Sequence, residues 1–450
     1  MRCGVYRSIA ISGVLLCAMT AAASTRPQYG GTLHVETSAE AETVVRVLVF
    51  DRLTRTDASG EVAPSLAVRW AQENQAQRWQ FWLRAGVRFH DGTELTADDV
   101  VRSLTEDCAA DSGGSCAWKT LRAVGDSVVM TTDEPAPTMP AELARSQYIV
   151  THKDAAGKTD GTGAFKITSQ SRDAAMLAAV NDAWAGRPFV DAVEIDGRRD
   201  VRAQLLDLSV GRADMVDLPP ESVRQAAQAH VAMVASPPTD LIVLSIHSRT
   251  LETPAQREAI ADAADRMALW SVIYQRQGEA SASLLPNGMT GYGFLFATER
   301  NLQRATELAA AVHGPLTLAV ETNDATMQLV AGRLALNLRE AGLNVQVKPG
   351  GIGSNPASAD MTLRRVHLEA GDARAGLHEM LREFGADADD GDGDAAALYR
   401  TEKAFLDEYT VVPLLWLPRT YAVGVRVRGL QLAPDGTPLP ADVWLKADQP

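Results

Sequence analysis

A strand–helix–strand pattern between residues 316 and 348 constrains the fold of this chain more than any other feature of its sequence. Leu316–Val320 alternates as a short strand, and 344–348 is typical of a second one. Between them, apolar residues keep helical spacing up to Gly342: Met327, Val330, Leu334 and Leu338. Two strands joined by a crossover helix pair in parallel, so the pattern predicts an α/β fold.

The length and charge of the chain narrow its class further. With 450 residues it exceeds what one compact core usually holds, so we expect two or more lobes. Hydrophobic residues make up 46% and charged residues 22%, which is typical of soluble globular proteins. The formal net charge of −14 repels nucleic acid phosphates and anionic lipid head groups, so nucleic acid is not an expected partner.

The first residues have the pattern of a cleavable export signal. Arg2 and Arg7 form a positive start, an apolar stretch covers 9–22, and 21–23 supplies three small alanines. We therefore predict a signal peptide at 1–23 and a periplasmic location. No other stretch approaches the roughly 18 consecutive apolar residues of a membrane span, so the mature chain is not expected to cross a membrane.

Two cysteines would remain after cleavage. Cys108 and Cys116 stand in a loop-like stretch, and in an oxidising compartment such a pair predicts a local disulfide. Metal binding by the two thiolates is the alternative. It has less support, because the sequence offers no second close pair of Cys or His ligands.

Motifs for catalysis and for nucleotide or zinc binding are incomplete. The residues 157–159 (GKT) resemble the end of a phosphate-binding loop, but the glycine required five residues earlier is His152. His378 and Glu379 begin like a zinc-protease helix, but Arg382 occupies the second histidine position. The chain contains no Gly-x-Ser-x-Gly elbow. We therefore predict no enzymatic activity, no cofactor and no metal site.

An acidic loop at residues 385–394 leaves a calcium-binding alternative open. Counting from Asp390 gives oxygen ligands at the first, third and fifth positions of a calcium loop. Ala395 and Thr401, however, stand where that loop requires Gly and Glu. A solvated acidic loop is therefore the favoured interpretation.

Local signals predict further helices and strands. Thr253 and Gln256 form a capping-box pattern, and apolar spacing extends the helix that follows to Gly278. Pro219 and Pro220 predict the end of a preceding strand unit. Continuous apolar runs predict two buried strands, at 241–246 and 411–416.

Six segments, in order along the chain, together resemble one protein family. They are 30–35, 51–70, 81–100, 161–167, 181–191 and 257–266. The segment 81–100, FWLRAGVRFHDGTELTADDV, is the most specific of them. On these residues the chain resembles the extracellular solute-binding proteins of family 5, which serve oligopeptide, dipeptide and nickel ABC importers.

The resemblance implies the fold class: α/β, a two-lobed periplasmic-binding-protein type II clamp with an inserted subdomain in the first lobe. The implied boundaries are 28–240 plus 410–450 for the first lobe, about 45–150 for the inserted subdomain, and 245–405 for the second lobe. Ligand would lie in the cleft between the lobes, which close about hinge strands. The strand 241–246 and the segment before Val411 are the predicted hinges.

One segment departs from the peptide-binding members of that family. They carry a Trp-x-Ala-Asp-Tyr-Pro-Asp-Pro-like segment, in which an acid pairs with the α-amino group of the peptide. Residues 359–367 lack its aromatic and proline pattern, although Asp360 is a candidate for the retained acid. Arg364 and Arg365 are candidates for contact with an anionic ligand, or alternatively are surface arginines at a strand end.

The remaining candidate ligand contacts follow from position in the chain. Polar and aromatic residues that converge in a mostly apolar cleft are typical of solute sites, although each candidate also has a core or surface explanation. The predicted ligand-binding set is Glu36, His247, Tyr292, Asp360, Arg364 and Trp416.

The sequence therefore predicts a binding function. The chain would capture a small solute, a peptide or another one, in the interlobe cleft and deliver it to the permease subunits of an ABC importer, acting as a monomer. A ligand-sensing or chaperone-like protein on the same fold, without a transport role, is the first alternative. A secreted hydrolase is the second, because catalytic groups need not be adjacent in sequence.

Overall fold

A computed structural model gives the structure of the chain over residues 26–110, 116–153, 156–247, 251–322, 324–348, 359–388, 391 and 393–446. The predicted signal peptide at 1–23 lies outside the described residues. Among the helices of these ranges, none combines the length and the apolar character that a membrane span requires.

Strands and helices alternate along most of the chain. In chain order the elements are β1 (Thr32–Glu36), α1 (Ala41–Val49), β2 (Thr54–Thr56), β3 (Val62–Pro64), β4 (Ala67–Glu73), β5 (Arg78–Leu83), α2 (Ala97–Ala110), β6 (Thr120–Val124), β7 (Ser127–Thr131), α3 (Met139–Glu142), β8 (His152–Lys153), β9 (Thr159–Asp160), β10 (Phe165–Gln170), β11 (Ala174–Ala179), β12 (Ala192–Asp196), α4 (Val201–Ser209), β13 (Met215–Leu218), α5 (Pro220–Gln228), β14 (Ala232–Ile246), α6 (Pro254–Ala263), α7 (Arg266–Ala268), β15 (Glu279–Ala280), α8 (Asn287–Thr290), α9 (Leu302–Ala309), β16 (Leu316–Val320), α10 (Ala325–Glu340), β17 (Val345–Lys348), β18 (Met361–His367), α11 (Ala373–Glu383), α12 (Ala395–Leu406), β19 (Val411–Val423), β20 (Val427–Arg428) and β21 (Trp444–Leu445).

One sheet of eleven strands forms the backbone of both lobes. Its order is β10-β11-β12-β1-β13-β19-β14-β18-β16-β17, and β15 pairs with β19. In the first lobe β1 pairs in parallel with β12 and β13, and in the second lobe β16 pairs in parallel with β17 and β18. The parallel pairing predicted across the strand–helix–strand unit is confirmed, and with it the α/β class.

The strands β14 and β19 run through both lobes. The first residues of β14 pair with the end of β19 beside β13, and its last residues pair with the start of β19 beside β18. Between them the register shifts around Pro238, which pairs with Pro418. Proline lacks the backbone N–H that a ladder needs, so the two sheet halves are joined at a weakened point. The strand predicted at 241–246 is only the second-lobe half of β14.

Separate hydrophobic clusters support the two halves of this sheet. We call the part before β14, together with the strands β20 and β21, the first lobe, and the part from α6 to α12 the second lobe. Buried residues of β16, β18 and α10 form one cluster of the second lobe, and Leu285, Tyr292, Leu377 and Trp416 belong to the cluster on its other face. The predicted lobe boundaries stay a prediction, because β14 and β19 belong to both halves.

A four-stranded sheet of order β4-β5-β7-β6 lies in an inserted subdomain, which we take as residues 51–150. Trp79 and Phe81 alternate along β5 into the subdomain core, which they share with Val100 and Leu104 of α2. The predicted disulfide is present. It joins Cys108 of α2 to Cys116, with the Cα atoms 5.5 Å apart.

Two helix predictions differ from the structure. The capping box of Thr253 and Gln256 is present, but the helix it starts ends at Ala263, because Ala264 has an extended backbone; α7 and a π-helical turn at Leu269–Ile273 follow. Pro220 begins α5 instead of ending a unit. Proline at the first helical position costs no hydrogen bond, so the Pro-Pro pair was a helix start.

Candidate functional site

A cavity of about 860 Å³ lies between the two lobes. Its first-lobe wall includes the carboxyl ends of β1 and β13 and the segment 199–201 that follows β12. Its second-lobe wall includes the start of α10 and Arg365 of β18, and 417–421 of β19 lines the cavity where the lobes join. The carboxyl ends of parallel strands are where α/β proteins bind ligands. The volume falls in the range of small-molecule sites, which is roughly 300–1,000 Å³.

Glu36 and Arg199 face each other in the first-lobe wall. Glu36 ends β1 and is 6% exposed. Its Oε2 atom is 3.4 Å from Nε of Arg199, and Arg199 also donates a hydrogen bond to Asp207 of α4. Burial raises the pKa of Glu36, and the positive charge of Arg199 opposes that rise.

Two further carboxylates of this wall lie at the junction of β13 and α5. Asp217 accepts hydrogen bonds from the backbone N–H of Ser38 at 2.9 Å and from its hydroxyl at 2.5 Å. Glu221, in the first turn of α5, accepts a 2.6 Å hydrogen bond from the hydroxyl of Thr326 on α10. That bond joins the first lobe to the second at the cavity.

Arg365 is the cation that the second lobe contributes. Its Nη2 atom is 3.4 Å from Oδ2 of Asp324, the residue that caps α10. Burial on its own lowers the pKa of Arg365, but Tyr274, Asp240, Asp324 and Glu221 outweigh burial and hold the pKa above its ordinary value. The guanidinium is therefore charged, with acids of both lobes around it.

Asp240 of β14 lies where the lobes join. Its Oδ1 atom is 2.6 Å from Nδ1 of His367 and 3.4 Å from Nε of Arg419. Burial on its own raises the pKa of Asp240, but His367 and Arg419 outweigh it, so the pKa lies below its ordinary value. This carboxylate is ionised at neutral pH.

Apolar and aromatic side chains complete the cavity wall. Val47 and Leu48 of α1 contribute to one side, and Leu417 and Tyr421 of β19 to another. Burial raises the pKa of Tyr421 to about 12, so its hydroxyl is neutral at physiological pH. An apolar wall with a few polar groups suits a small organic solute.

Four buried polar atoms of the wall have no hydrogen-bond partner among the described residues. They are Oε2 of Glu36, Nε of Arg199, Oε2 of Glu221 and Nε of Arg365. The first two face each other at ion-pair distance but without hydrogen-bond geometry. Because an unsatisfied buried polar group costs roughly 1–3 kcal/mol, this set is incomplete without another partner.

Of the six predicted ligand-binding residues, Glu36 is the one that lines the cavity. Trp416 is fully buried in the second-lobe core, where its indole N–H donates to the carbonyl of Ser283 at 3.3 Å. Tyr292 is 7% exposed in the same core and packs on Tyr399, with the ring centroids 5.6 Å apart. A ligand-binding role for Glu36 stays a prediction.

The other three lie together in the second lobe, outside the cavity wall. The backbone N–H of His247 donates to the carbonyl of Asp360 at 2.8 Å, and Asp360 accepts from the hydroxyl of Thr317 at 2.8 Å. Arg364 forms an ion pair with Glu321 at 3.5 Å and another with Glu383. Burial, followed by the charge of Arg364, lowers the pKa of His247.

Sequence reasoning missed Asp217, Glu221 and Arg419 as cavity residues. The available signal was the position of Asp217 and Glu221 at the carboxyl end of a short strand, the edge at which α/β proteins bind ligands; the structure shows that this strand, β13, pairs in parallel with β1. Arg365 was a candidate from the sequence only as one of a pair with Arg364, and the sequence did not say which of the two lies at the cavity. Successive residues of a strand point to opposite faces, so one of the two arginines lies at the cavity and the other at α11.

The lobes also meet at a second place, which we call the subdomain contact. It joins Gly60, Glu142, Arg145 and Ser146 of the inserted subdomain to Glu369, Gly371, Glu379 and Arg382 of the second lobe.

Glu142 is the centre of the subdomain contact. Its Oε1 atom is 2.6 Å from Nη1 of Arg382, 3.2 Å from Nη1 of Arg145 and 2.9 Å from the hydroxyl of Tyr148. Burial on its own raises the pKa of Glu142, but the two arginines outweigh burial and hold the pKa below its ordinary value.

Glu379 is the second buried acid of this contact. It accepts hydrogen bonds from the backbone N–H groups of Glu369 and Ala370, at 3.0 and 2.9 Å, and lies 3.9 Å from Nε of Arg145. Burial raises the pKa of Glu379 to about 7, although Arg145 opposes the rise.

The described residues contain no group of three or more His, Cys, Asp and Glu side chains arranged to hold a metal ion. The acidic loop at 385–394, with its calcium alternative, lies partly outside the described residues. His378 and Glu379 belong to α11, where Glu379 serves the subdomain contact.

Comparison with known proteins gives a consistent match. The model of the family "bacterial extracellular solute-binding proteins, family 5 middle" matches residues 61–401. The probable di/tripeptide-binding protein 5 of Pseudomonas aeruginosa (strain UCBPP-PA14) is 27% identical over 377 residues, which are 74% of this chain and 66% of that protein. The dipeptide-binding protein of Escherichia coli (strain K12) is 25% identical, over 62% of each chain.

The chain matches less than two thirds of the length of these two curated relatives. Among solved structures, the periplasmic binding protein DppA from Helicobacter pylori in complex with the peptide STSA has a TM-score of 0.78. It is 18% identical, and the match covers 93% of this chain and 99% of that one. At that identity the likeness establishes the two-lobed fold.

Proposed function

The chain belongs to the bacterial extracellular solute-binding proteins of family 5, and we propose that it captures a small solute in its interlobe cavity for delivery to an ABC-type importer. The observation that carries this proposal is the incomplete set of polar atoms in the cavity wall. Glu36, Arg199, Glu221 and Arg365 each present a buried atom without a hydrogen-bond partner, and they come from both lobes. A ligand that satisfied atoms of both lobes would stabilise the closed arrangement.

Closure would occur about β14 and β19. The register shift around Pro238 and Pro418 is the point at which the two sheet halves are least firmly tied, and it borders the cavity. We therefore move the proposed hinge from 241–246 and the segment before Val411 to these two prolines. Lobe closure of this kind would expose or hide a surface that permease subunits bind.

The ligand is proposed to be a peptide or another small solute. The two curated relatives are named for dipeptides or di- and tripeptides, and the DppA structure holds a peptide. Asp360, the predicted partner of a peptide α-amino group, already accepts hydrogen bonds from Thr317. A peptide in this cavity would therefore use other acids, of which Glu36 and Glu221 present unpartnered oxygens.

The remaining features of the proposal follow from the sequence. The predicted signal peptide supports action in the periplasm, and the net charge of −14 makes nucleic acid an unexpected partner. We further propose that the chain acts as a monomer and without catalysis. The relatives named above are binding proteins and not enzymes.

Thermal unfolding tests the proposal most simply. The chain is heated with and without a mixture of di- to pentapeptides, and a ligand at 100 times its dissociation constant adds about 2.7 kcal/mol to the free energy of unfolding. We expect an upward shift of the midpoint. No shift would remove peptides from the proposal and direct the search to other small solutes.

Two neighbouring arginines make this test specific for the cavity. Arg365→Gln removes the cation at the cavity, and Arg364→Gln removes the one that pairs with Glu321 and Glu383 on the other face of β18. We expect the first variant to lose the ligand-dependent shift and the second to keep it. If instead Arg364 binds the ligand, as the sequence predicted, Arg364→Gln should lose the ligand-dependent shift.

A further inference from the structure

The cavity wall carries more acidic than basic side chains. Its acids are Glu36, Asp200, Asp217, Glu221, Asp240 and Asp324, and its bases are Arg199, Arg365 and Arg419. The charged groups just behind the wall do not reverse this excess. Asp207 and Arg212 form an ion pair at 3.4 Å, so their opposite charges cancel. His367 adds a positive charge only when it is protonated.

The three arginines are already engaged with acids. Arg199 lies 3.4 Å from Glu36, Arg365 lies 3.4 Å from Asp324, and Arg419 lies 3.4 Å from Asp240. Each positive charge of the wall therefore has a negative partner before a ligand arrives.

The other three acids have their hydrogen bonds to neutral donors. Asp200 caps α4 through backbone N–H groups, Asp217 binds Ser38, and Glu221 binds Thr326. Neutral donors satisfy hydrogen-bonding capacity but bring no positive charge, and the cation that acts on Glu221 from a distance, Arg365, also serves Asp240 and Asp324. In the described part of the chain, no ion pair within 4 Å joins Asp200, Asp217 or Glu221 to a cation.

Two carboxylate oxygens of the wall lack a hydrogen-bond donor, and one of them, Oε2 of Glu36, has the 3.4 Å ion-pair contact with Arg199 in place of a hydrogen bond. Oε2 of Glu36 and Oε2 of Glu221 are buried at the cavity without a hydrogen-bond partner, and Glu36 as a whole is 6% exposed. Ammonium and guanidinium groups are the donors that satisfy such oxygens best, because the hydrogen bond is assisted by charge.

We infer that the cavity selects solutes of net positive charge, so that the captured ligand carries one or more ammonium or guanidinium groups in excess of its carboxylates. This inference rests on the proposed function. Acids that line a cleft with low-dielectric walls focus a negative potential into it, which attracts cations and repels anions. A ligand with one carboxylate can still contact an arginine Nε atom. A ligand of net negative charge, however, would add to the excess of negative charge that the wall already carries.

Isothermal titration with ligands that share a backbone length and differ in charge tests the inference, with Lys-Lys and Glu-Glu as the pair of similar size. The dipeptides are Lys-Lys, Ala-Ala and Glu-Glu, and the non-peptide pair is 1,4-diaminobutane and succinate. We expect the positive member of each set to bind at least about tenfold more tightly than the negative one, with the advantage shrinking as salt is raised. Equal or tighter binding of Glu-Glu or succinate would overturn the charge inference alone. No binding by any of the five would also overturn the inference, whereas the proposed function is decided separately by the thermal shift with the peptide mixture.

A double variant locates the preference. Asp217→Asn with Glu221→Gln keeps one acceptor oxygen at each position, for the backbone N–H of Ser38 and the hydroxyl of Thr326, and removes two negative charges that have no ion pair. We expect about tenfold weaker binding of Lys-Lys and unchanged binding of Ala-Ala. Glu299→Gln, at an exposed position outside the wall, removes one charge elsewhere and should change neither. If the double variant weakened both dipeptides equally, the acids would serve the shape of the cavity, and the inference would fail.

Discussion

The cavity and the subdomain contact both join the first lobe to the second, yet they differ in how completely their buried charges are paired. In the subdomain contact, Glu142 has two arginines and a tyrosine hydroxyl as partners. In the cavity, Glu36 and Glu221 each keep a carboxylate oxygen without a hydrogen bond. In the contact, Nε of Arg145 lacks a hydrogen bond, but no buried oxygen of Glu142 or Glu379 does, whereas in the cavity the carboxylates themselves are incomplete and we propose that a ligand completes them.

The difference assigns separate tasks to the two regions. When a buried charge has all its partners, removing one of them leaves the other charge buried and unpaired, which lowers the free energy of unfolding. A buried charge that lacks partners contributes little to stability and much to binding, because a ligand gains what the chain leaves unsatisfied. We therefore expect substitutions in the subdomain contact to change stability and those in the cavity to change affinity.

The largest effect on stability is expected at Glu142. Glu142→Gln removes the charge that faces Arg145 and Arg382, and breaking a buried ion pair costs about 3–5 kcal/mol. Chemical denaturation measures the loss. Glu134→Gln in the same subdomain is exposed and should change the free energy of unfolding by no more than about 0.5 kcal/mol. Equal losses in the two variants would remove the stabilising task from the contact.

A pH series on Glu379 gives the next largest effect. Burial raises its pKa to about 7 from an ordinary 4.5, so the folded chain holds this proton where the unfolded chain releases it. The stabilisation is fully present below about pH 4.5 and is lost as pH rises through about 7.

Comparison with Glu379→Gln isolates this carboxyl. From about pH 5 to pH 8 the original chain should lose on the order of 3 kcal/mol relative to the variant. Over the same range, the free energy of unfolding of Glu134→Gln should depend on pH in the same way as that of the original chain. If the free energy of unfolding of Glu379→Gln also followed that of the original chain at every pH, this carboxyl would titrate as in the unfolded chain, and the prediction would be wrong.

A smaller loss is expected at Gly371. A Cβ atom there would lie 2.3 Å from the carbonyl oxygen and 2.5 Å from Cα of Gly60, so the two backbones could not keep their approach. Gly371→Ala should cost about 2 kcal/mol, by analogy with overpacking of a core, and lower the thermal midpoint. Gly332→Ala meets nothing within 4 Å on α10 and should stabilise the chain slightly. A loss at Gly332 as large as that at Gly371 would contradict the close approach as the cause.

The smallest effect on stability is expected at Glu36. Glu36→Gln removes a carboxylate whose Oε2 atom has no hydrogen bond and whose pKa is already raised by burial. The free energy of unfolding should therefore change by less than about 1 kcal/mol. Ligand affinity should fall several-fold in the same variant. A stability loss matching that of Glu142→Gln, with affinity intact, would make Glu36 a structural residue and erase the comparison.

Much of the fold was predictable because its signals are local. The segment 81–100 identifies the family, and the capping box at Thr253 and the strands flanking α10 depend only on neighbouring residues. The full length of β14 was not predicted: the apolar run indicated a strand only at 241–246, after Pro237 and Pro238, and pairing with β19 carries the strand through these prolines. The start of α5 at Pro220 was missed for a related reason, since proline both ends strands and begins helices.

The site was less predictable because its geometry depends on which strand face meets the other lobe. Trp416 and Leu417 are adjacent in β19, and the first is core while the second lines the cavity. Arg364 and Arg365 divide in the same way. Glu36 was found because it ends the first strand at the carboxyl edge of the sheet. Glu221 needs Thr326 of the other lobe beside it, and no local pattern encodes that meeting.

Hydrogen exchange tests most directly the central claim that a ligand completes the cavity between the lobes. Backbone amide exchange is followed with and without a saturating mixture of di- to pentapeptides. The account predicts that protection rises in the segments that line the cavity, 35–39, 217–221 and 417–421, and changes less at the subdomain contact. Protection confined to 359–367 and His247, or no change in the three cavity segments, would contradict it.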